Sequence, residues 1–415
     1  MRIGIVGLGY VGLPLGVAFG EAGHEVVGYD TNLRRVERLN QGESDIEDVP
    51  SADLARLGDA FAATTDPMAL GRCEAIMICV PTPLANYREP DLSYITASAQ
   101  TLAEVLREGQ TVILESTTYP GTTRDHLLPL LEESGLRAGR DFHLAFSPER
   151  IDPGREDHTV RNTPKVVGGL TPECAGKAAE AYRLICDEVV TVSSPEAAEL
   201  TKLLENIFRS VNIALVNELS QLTDRLGIDI WEVVDAAATK PFGFMKFEPG
   251  PGMGGHCLPI DPFYLAFKAR EHDFVTEFIE LAGKVNQSHP DFCVGKIERA
   301  LDRSGVATSR SKVLILGVSY KTGVADLREA PALKIIRRLR ELGAEVSYHD
   351  PLVPSLPQLG LESVGWDAGV RDADAVALIT AHPQFDIDSL LRDASLLVDF
   401  RGVTRGVEAP NLVRL

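Results

Sequence analysis

Three groups of residues carry the chemistry of this sequence: Gly7-Leu8-Gly9-Tyr10-Val11-Gly12 with Asp30, the pair Lys202 and Asn206, and Cys257 with Asp261 inside Gly252–Asp261 (GMGGHCLPID). The glycine spacing, directly behind an apolar strand and ahead of a helical stretch, fits a dinucleotide. Gly7 makes a tight turn, Gly9 admits a pyrophosphate against the backbone, and Gly12 lets helix and strand pack closely. Asp30 ends the second strand, where a carboxylate bonds the adenosine ribose hydroxyls and repels a 2′-phosphate, which favours NAD over NADP. Arg34 and Arg35 pull the other way, since either cation could serve a 2′-phosphate or the pyrophosphate. The bland alternative, a plain tight turn, leaves the strand, helix and acid in register unexplained.

A thiol among glycines is open to a substrate, and a thiolate needs N–H groups or cations nearby to be populated near neutral pH. Taken alone, Cys257 reads equally as a small packed residue, the fate of most cysteines. Lys202 and Asn206 lie four apart and share one helix face, where a lysine can polarise an oxygen; without context that pair reads as solvated surface. His256 is the rival base, but beside a nucleophile in an extended loop it is expected to point away, a structural role. No His/Cys cluster has metal-ligand spacing, so no metal is expected.

These groups need a scaffold of alternating strands and helices. Apolar runs at Ile3–Val6, Glu25–Tyr29, Ala75–Val80, Thr111–Glu115 and His143–Phe146 predict a parallel sheet covered by helices. From Pro195 to Leu226 one long helix is predicted, with Leu200, Leu204, Ile207, Val211, Leu215, Leu219 and Leu222 at steps of three and four, suited to an interdomain spine or a dimer interface. Lys240–Pro262, crowded with Gly and Pro, is expected to be a shaped loop without a regular element. Helices follow to about Leu301; strands resume at Val313–Leu316, Val346–Tyr348, Ala375–Ile379 and Leu396–Phe400, a second and smaller doubly wound domain beyond a boundary at Thr308–Lys312.

Length and charge bound the function. At 415 residues the chain exceeds one ordinary core. Forty-one basic against sixty acidic residues, a net charge of -19, oppose a broad grip on nucleic acid or an anionic membrane, so phosphate must be held locally. There is no run of 18 apolar residues and no signal-peptide pattern ahead of Ile3, which reads as cytoplasmic. Six cysteines without a Cys-x-x-Cys pair make no disulfide scaffold.

With GLGYVGLP (Gly7–Pro14), ESTTYPGT (Glu115–Thr122), FSPERIDPG (Phe146–Gly154), KLLENIFRSVNIALVNE (Lys202–Glu218), GMGGHCLPIDPFYL (Gly252–Leu265) and GVSYKTGVADLREAP (Gly317–Pro331) assembled, the chain resembles the UDP-glucose/GDP-mannose dehydrogenase family over essentially its whole length. The Gly-Gly-His-Cys-x-Pro-x-Asp-Pro and Ser-Pro-Glu-Arg-Ile-x-Pro-Gly segments resemble its UDP-N-acetylglucosamine 6-dehydrogenase branch. The resemblance implies an α/β protein with two Rossmann-like doubly wound domains joined by a long central helix and a helical middle domain. Their expected bounds are residues 1–195 for NAD, 196–305 for the spine helix and cysteine loop, and 306–415 for the UDP-sugar. It implies a homodimer through that helix. The reaction would be a four-electron oxidation of a C6 primary alcohol to the carboxylate, consuming two NAD per sugar.

Carried over residue by residue, the resemblance makes Cys257 the nucleophile of a thiohemiacetal and then a thioester. Lys202, Asn206 and Asp261 position and polarise oxygen and water, Thr117 holds the reacting hydroxyl or water, and Glu149 is a general acid/base in hydrolysis, with the Asp261 network as the alternative activator of the water. Tyr10 and Val11 lie beside sugar and nicotinamide; Arg35, Thr82, Thr117 and Arg328 complete the cofactor site with Gly7, Gly9, Gly12 and Asp30. Arg150, Gly254, Lys321 and Arg401 join Glu149, Lys202 and Asn206 around the nucleotide sugar. Two departures, Pro153 in place of a second glutamate and Pro241 beside Lys240 in place of an arginine, put simple UDP-glucose specificity in doubt. UDP-N-acetylglucosamine is the first expectation, with the N-acetylgalactosamine and N-acetylmannosamine nucleotides and UDP-glucose as alternatives. A two-electron dehydrogenase of the 6-phosphogluconate or 3-hydroxyacid kind would need neither the thiol nor a second nucleotide domain. A non-catalytic nucleotide-binding protein would have no use for Cys257, Lys202, Asp261 and Glu149 together.

Overall fold

The computed structural model describes all residues but 47, 84–88, 152–156 and 256, together with the side chains of residues 257 and 259. Pro153, Gly154 and His256 therefore lie outside the described residues, as does the side chain of Cys257. The chain forms two units, Met1–Glu205 with Phe263–Val275, and Asn206–Pro262 with Thr276–Leu415.

In the first unit eight strands form one sheet: β1 (Arg2–Val6), β2 (Glu25–Tyr29), β3 (Phe61–Thr64), β4 (Ala75–Ile78), β5 (Thr111–Leu114), β6 (His143–Phe146), β7 (Lys165–Gly169) and β8 (Val189–Val192), in the order β3-β2-β1-β4-β5-β6-β7-β8. Helices α1 (Gly12–Glu21), α2 (Leu33–Asn40), α3 (Ser51–Leu57), α4 (Ser93–Ala103), α5 (Leu128–Glu132) and α6 (Pro172–Tyr182) accompany it. β4 and β5 are buried at every position, which explains why their sequences read as continuous apolar runs rather than alternating ones. Strand order reverses between β1 and β4, and the glycine turn sits at that switch point.

The five strands read from the sequence pair parallel, as expected, whereas β7, which was not read, pairs with β6 antiparallel, Ala145 opposite Gly169 and Phe146 opposite Gly168. An antiparallel return needs no crossover helix. β3, β7 and β8 were not foreseen; each is four or five residues long, and β8 is an edge strand with two exposed residues, too short and too polar to declare a period.

The helix α7 (Pro195–Leu226) runs from the first unit into the second, the division falling after Glu205. All of its leucines but the buried Leu203 face outward: Leu204 is 63% exposed, Leu215 54% and Leu226 60%, with Leu200, Phe208, Leu219 and Leu222 also exposed. Its buried side mixes Leu203, Ile207 and Val216 with Glu199, Lys202, Ser210, Asn217, Ser220 and Thr223, so Ile207 parts from the leucine stripe in which the sequence placed it. A helix with an exposed apolar stripe and charged groups on its buried side departs from the usual surface helix. Lys202, which alone reads as solvated, is 8% exposed.

The second unit continues with α8 (Ile230–Ala238), α10 (Glu277–Arg303) and a five-stranded parallel sheet. Between α8 and α10 lies α9 (Cys257–Arg270), whose end from Phe263 belongs to the first unit. This corrects the expectation of a loop to Pro262: Cys257 opens a helix. Pro259 falls in the first turn, where a missing N–H costs little, and Pro262 is carried inside the helix. The sheet holds β9 (Lys312–Leu316), β10 (Glu345–His349), β13 (Ala375–Leu378), β14 (Leu397–Asp399) and β15 (Leu412–Arg414), in the order β10-β9-β13-β14-β15. A small antiparallel pair, β11 (Ser355–Leu356) and β12 (Leu361–Glu362), and helices α11 (Pro331–Glu341), α12 (Trp366–Asp372) and α13 (Ile387–Asp393) complete it. Among the described residues no helix is long and apolar enough to cross a membrane.

Candidate active site

The glycine turn is built as its spacing predicts. Gly7 has φ +91°, and a Cβ on Gly12 would lie 1.9 Å from the Gly7 carbonyl oxygen, whereas one on Gly9 would meet nothing within 4 Å. Helix α1 opens at Gly12 with no side-chain cap and no acid in its first turn, so its amides and positive end suit a pyrophosphate. Asp30 is held by the N–H groups of Leu8 (3.0 Å) and Asn32 (2.9 Å). Arg35 stands 3.7 Å from Asp30 and 3.3 Å from Asp45, so its guanidinium is already matched by carboxylates. Tyr10 is exposed, and Thr82 is buried with its carbonyl accepting the Tyr264 hydroxyl at 2.7 Å. Open space at Gly9, an uncapped helix and a fixed ribose acid fit NAD.

At the C-terminal ends of β5 and β6 lies a buried charge cluster. Lys165 Nζ is 2.7 Å from Glu115 Oε2 and 3.5 Å from Glu149 Oε2, and the Tyr182 hydroxyl donates to Glu115. Glu149 also accepts the N–H groups of Arg150 (2.8 Å) and Ile151 (2.6 Å). Burial opposes its ionisation, but Lys165, the Ile151 amide, Lys202 and the Arg150 amide outweigh burial and hold the carboxyl below its usual range. Glu115 goes the other way, because its deeper burial outweighs the same lysine. Arg150 binds Glu205 at 2.7 Å.

The segment carrying Thr117, itself half-buried, is tied to α7. Glu199 accepts from Gly121 N (2.6 Å), Thr123 N (2.9 Å) and Thr123 Oγ1 (2.7 Å), and burial pushes its carboxyl up to about 7. Arg124 pairs with Glu196 at 2.6 Å on the same helix. Sequence reasoning missed Glu199, Lys165, Glu115 and Tyr182 as site-building residues. Glu199, Lys202 and Asn206 form a polar stripe at steps of three and four, a signal the leucine pattern hid; a lysine opening a buried strand was the sign at Lys165.

In the second unit Asn206 Nδ2 donates to Asp261, which is 2% exposed. Cys257 is the first residue of α9, one turn before Asp261. The other five cysteines are all buried, and burial pushes the thiols of Cys73 and Cys186 to about 11 and raises those of Cys79 and Cys293 as well. The glycines before Cys257 answer to packing: a Cβ on Gly254 would lie 2.7 Å from Tyr320 and one on Gly255 2.9 Å from its ring, and the Gly255 N–H donates to the Arg328 carbonyl at 2.9 Å.

Lys321 is half-buried behind β9, and Arg328 is forked onto Asp326. Arg401 follows β14 on a turn held by Asp399, which accepts the N–H groups of Arg401 (2.8 Å), Gly402 (2.9 Å) and Thr404 (2.9 Å). A Cβ on Gly250 would meet the Arg401 guanidinium at 2.8 Å. Asp350 ends β10 as Asp30 ends β2, but it is saturated by Val318, Ser319, Leu352 and Val353 amides and by His382 at 3.1 Å. No carboxylate oxygen is left for a ribose, so this second turn is unsuited to a dinucleotide. Among the described residues no group of His, Cys, Asp and Glu is placed to hold a metal.

Profiles of three domains of one family match the chain: the NAD binding domain over residues 1–186, the central domain over 196–288 and the UDP binding domain over 314–406. A UDP-N-acetyl-D-glucosamine 6-dehydrogenase of Pseudomonas aeruginosa is 36% identical over 394 residues, 93% of this chain and 91% of that protein. A UDP-N-acetyl-D-mannosamine dehydrogenase of Pyrococcus horikoshii is 38% identical over 391 residues, 93% and 90%. The solved structure of a UDP-D-ManNAc dehydrogenase from Pyrococcus horikoshii superimposes with a TM-score of 0.90 at 32% identity, covering 100% of this chain and 99% of that one. The chain is therefore a member of the UDP-glucose/GDP-mannose dehydrogenase family, an NAD-dependent nucleotide-sugar dehydrogenase with separate NAD- and UDP-binding domains.

Proposed function

We propose that the chain oxidises the C6 primary alcohol of a UDP-N-acetylhexosamine, UDP-N-acetylglucosamine first, to the uronic acid, with Cys257 as covalent nucleophile. The observation that carries this is the inward polar stripe of α7: Lys202 is buried where it acts on the ionised Glu149, and Asn206 is bonded to Asp261, one turn after Cys257. Both curated relatives cited above act, by their names, on UDP-N-acetylhexosamines, which favours that sugar class over UDP-glucose.

NAD, when bound, accepts a hydride in each of the two oxidations. The chain must do the rest. Lys202 and Asn206 stabilise charge on the reacting oxygen, a contribution of about 3–4 kcal/mol per donor in comparable sites. The Cys257 thiolate adds to the aldehyde carbon, so the half-oxidised sugar stays attached; loss of the second hydride leaves a thioester. Water, deprotonated toward Glu149, adds to the thioester carbonyl, and the C–S bond breaks with return of the thiolate. Thr117 positions the hydroxyl or water, Lys321 and Arg401 hold the diphosphate end, and Arg328, Tyr10, Val11 and Thr82 border the cofactor. The reading places the reaction in the cytoplasm.

The test is a panel of UDP-N-acetylglucosamine, UDP-N-acetylmannosamine, UDP-N-acetylgalactosamine and UDP-glucose with NAD, scored for NADH and free uronic acid. Two NADH per sugar, with the N-acetylglucosamine nucleotide preferred, is expected. One NADH per sugar refutes the covalent four-electron scheme, and a preference for UDP-glucose refutes the sugar assignment. The outward leucine stripe of α7 supports a homodimer. Sedimentation should show a dimer that Leu215→Glu with Leu219→Glu converts to monomer; an unchanged assembly would remove α7 from the interface.

A further inference from the structure

A cluster of buried charge in the first unit surrounds a residue the reaction has not yet used. Lys165 opens β7 at 5% exposure, between Glu115 at the end of β5 and Glu149 beyond β6. One ammonium thus serves two carboxylates, and the two are not equivalent. Glu115 takes the shorter contact and the Tyr182 hydroxyl, and has no exposed surface on its side chain; Glu149 takes the longer contact and two backbone amides, and keeps 18% of its side chain open. Among the described residues, the other titratable and charged groups around Glu149 are Lys202 from α7, Cys79 after β4, Cys186 after α6, and Arg150, whose guanidinium is bound to Glu205. Among these described neighbours Lys165 is the cation that bonds Glu149 directly.

We propose that Lys165 is a positioning residue for hydrolysis: it anchors the Glu149 carboxylate from behind through a buried Glu115–Lys165 pair, leaving the open side of Glu149 as the anion that receives the proton of water. When acid is added the pair sends the proton first to Glu115, which burial already favours in the neutral form, so Glu149 stays charged. The proton balance is simple: water gives one proton to Glu149 as its oxygen joins the thioester carbon, and Glu149 releases it to solvent through its open side. The proposal rests on the role given to Glu149 above.

Lys165→Met alone strands Glu115 in the interior and can unfold the chain, so the informative variant is Lys165→Met with Glu115→Gln, which removes both charges of the pair. The assay uses whichever of the four nucleotide sugars yields most NADH, following kcat against pH from 5 to 9, with intact-protein mass spectrometry of acid-quenched enzyme to weigh the sugar adduct on the protein. The double variant should move the acid limb of kcat upward by about one pH unit, a roughly tenfold loss on that limb, and raise the adduct fraction. KM should change little, and Lys165→Arg should restore the limb. A double variant with the wild-type limb and adduct fraction overturns the proposal, as does a Lys165→Arg limb displaced as far as that of the double variant. Glu149→Gln separates the two layers. If it turns over at the wild-type rate, Glu149 itself is misassigned and this proposal falls with it; if it is slow while the double variant is normal, only the part given to Lys165 fails.

Discussion

Two alanines in the first glycine turn should have opposite effects. Gly12→Ala places a methyl 1.9 Å from the Gly7 carbonyl and 2.9 Å from Ile5, so α1 must move away from β1 by more than an ångström. Overpacking of that kind costs about 1–3 kcal/mol, occasionally more. For a cooperative unit of about 200 residues that lowers Tm by roughly 2–4 °C per kcal/mol. Gly9→Ala meets nothing within 4 Å and has no left-handed φ to strain, so the folded protein should be unchanged or stabilised by up to about 1 kcal/mol through the unfolded chain. Its methyl projects where the pyrophosphate approaches the backbone. Loss of one charge-assisted N–H bond to phosphate is worth about 1.5–3 kcal/mol. That weakens NAD by roughly ten- to a hundredfold. Differential scanning fluorimetry and calorimetric titration of NAD separate the two effects. A folded Gly9→Ala protein that binds NAD as tightly as wild type would refute the assignment of Gly9 to the pyrophosphate.

Other residues give equally direct outcomes. Cys257→Ser should yield fewer than two NADH per sugar and no free acid; full turnover would discard the covalent scheme. Lys202→Ala should lower kcat about 10²- to 10³-fold with little change in KM, and an unchanged kcat would take it out of the transition state. Glu199, pushed by burial from 4.5 to about 7, keeps its proton in the folded chain across a window in which the unfolded chain has released it, so stability falls as pH rises from about 4.5 to 7 and levels off above. Glu199→Gln should flatten that slope by on the order of 3 kcal/mol across the window in urea titrations, and an identical slope would mean the carboxyl is ionised throughout.

The sequence by itself determined the elements whose signal is local. A βα glycine turn is legible because three glycines and an acid each answer a short-range need, and the buried strands β1, β4 and β5 are legible because parallel strands covered on both faces are apolar throughout. Likewise, α7 was legible in length and in the placing of its leucines. Which side of α7 faces inward was not, because an apolar stripe reports only that something must cover it, whereas burial of Glu199 and Lys202 depends on carboxylates and amides supplied from distant segments. Tertiary structure alone decided that Cys257 starts a helix rather than sitting in a loop, that β7 runs antiparallel to β6, and that Asp350 is consumed by its own turn while Asp30 is not. It also decided that Glu115 and Glu149 share one lysine. Electrostatic pairing in a low-dielectric interior is a relation between residues 16 and 50 positions apart, and a single sequence shows the charges without showing which of them meet.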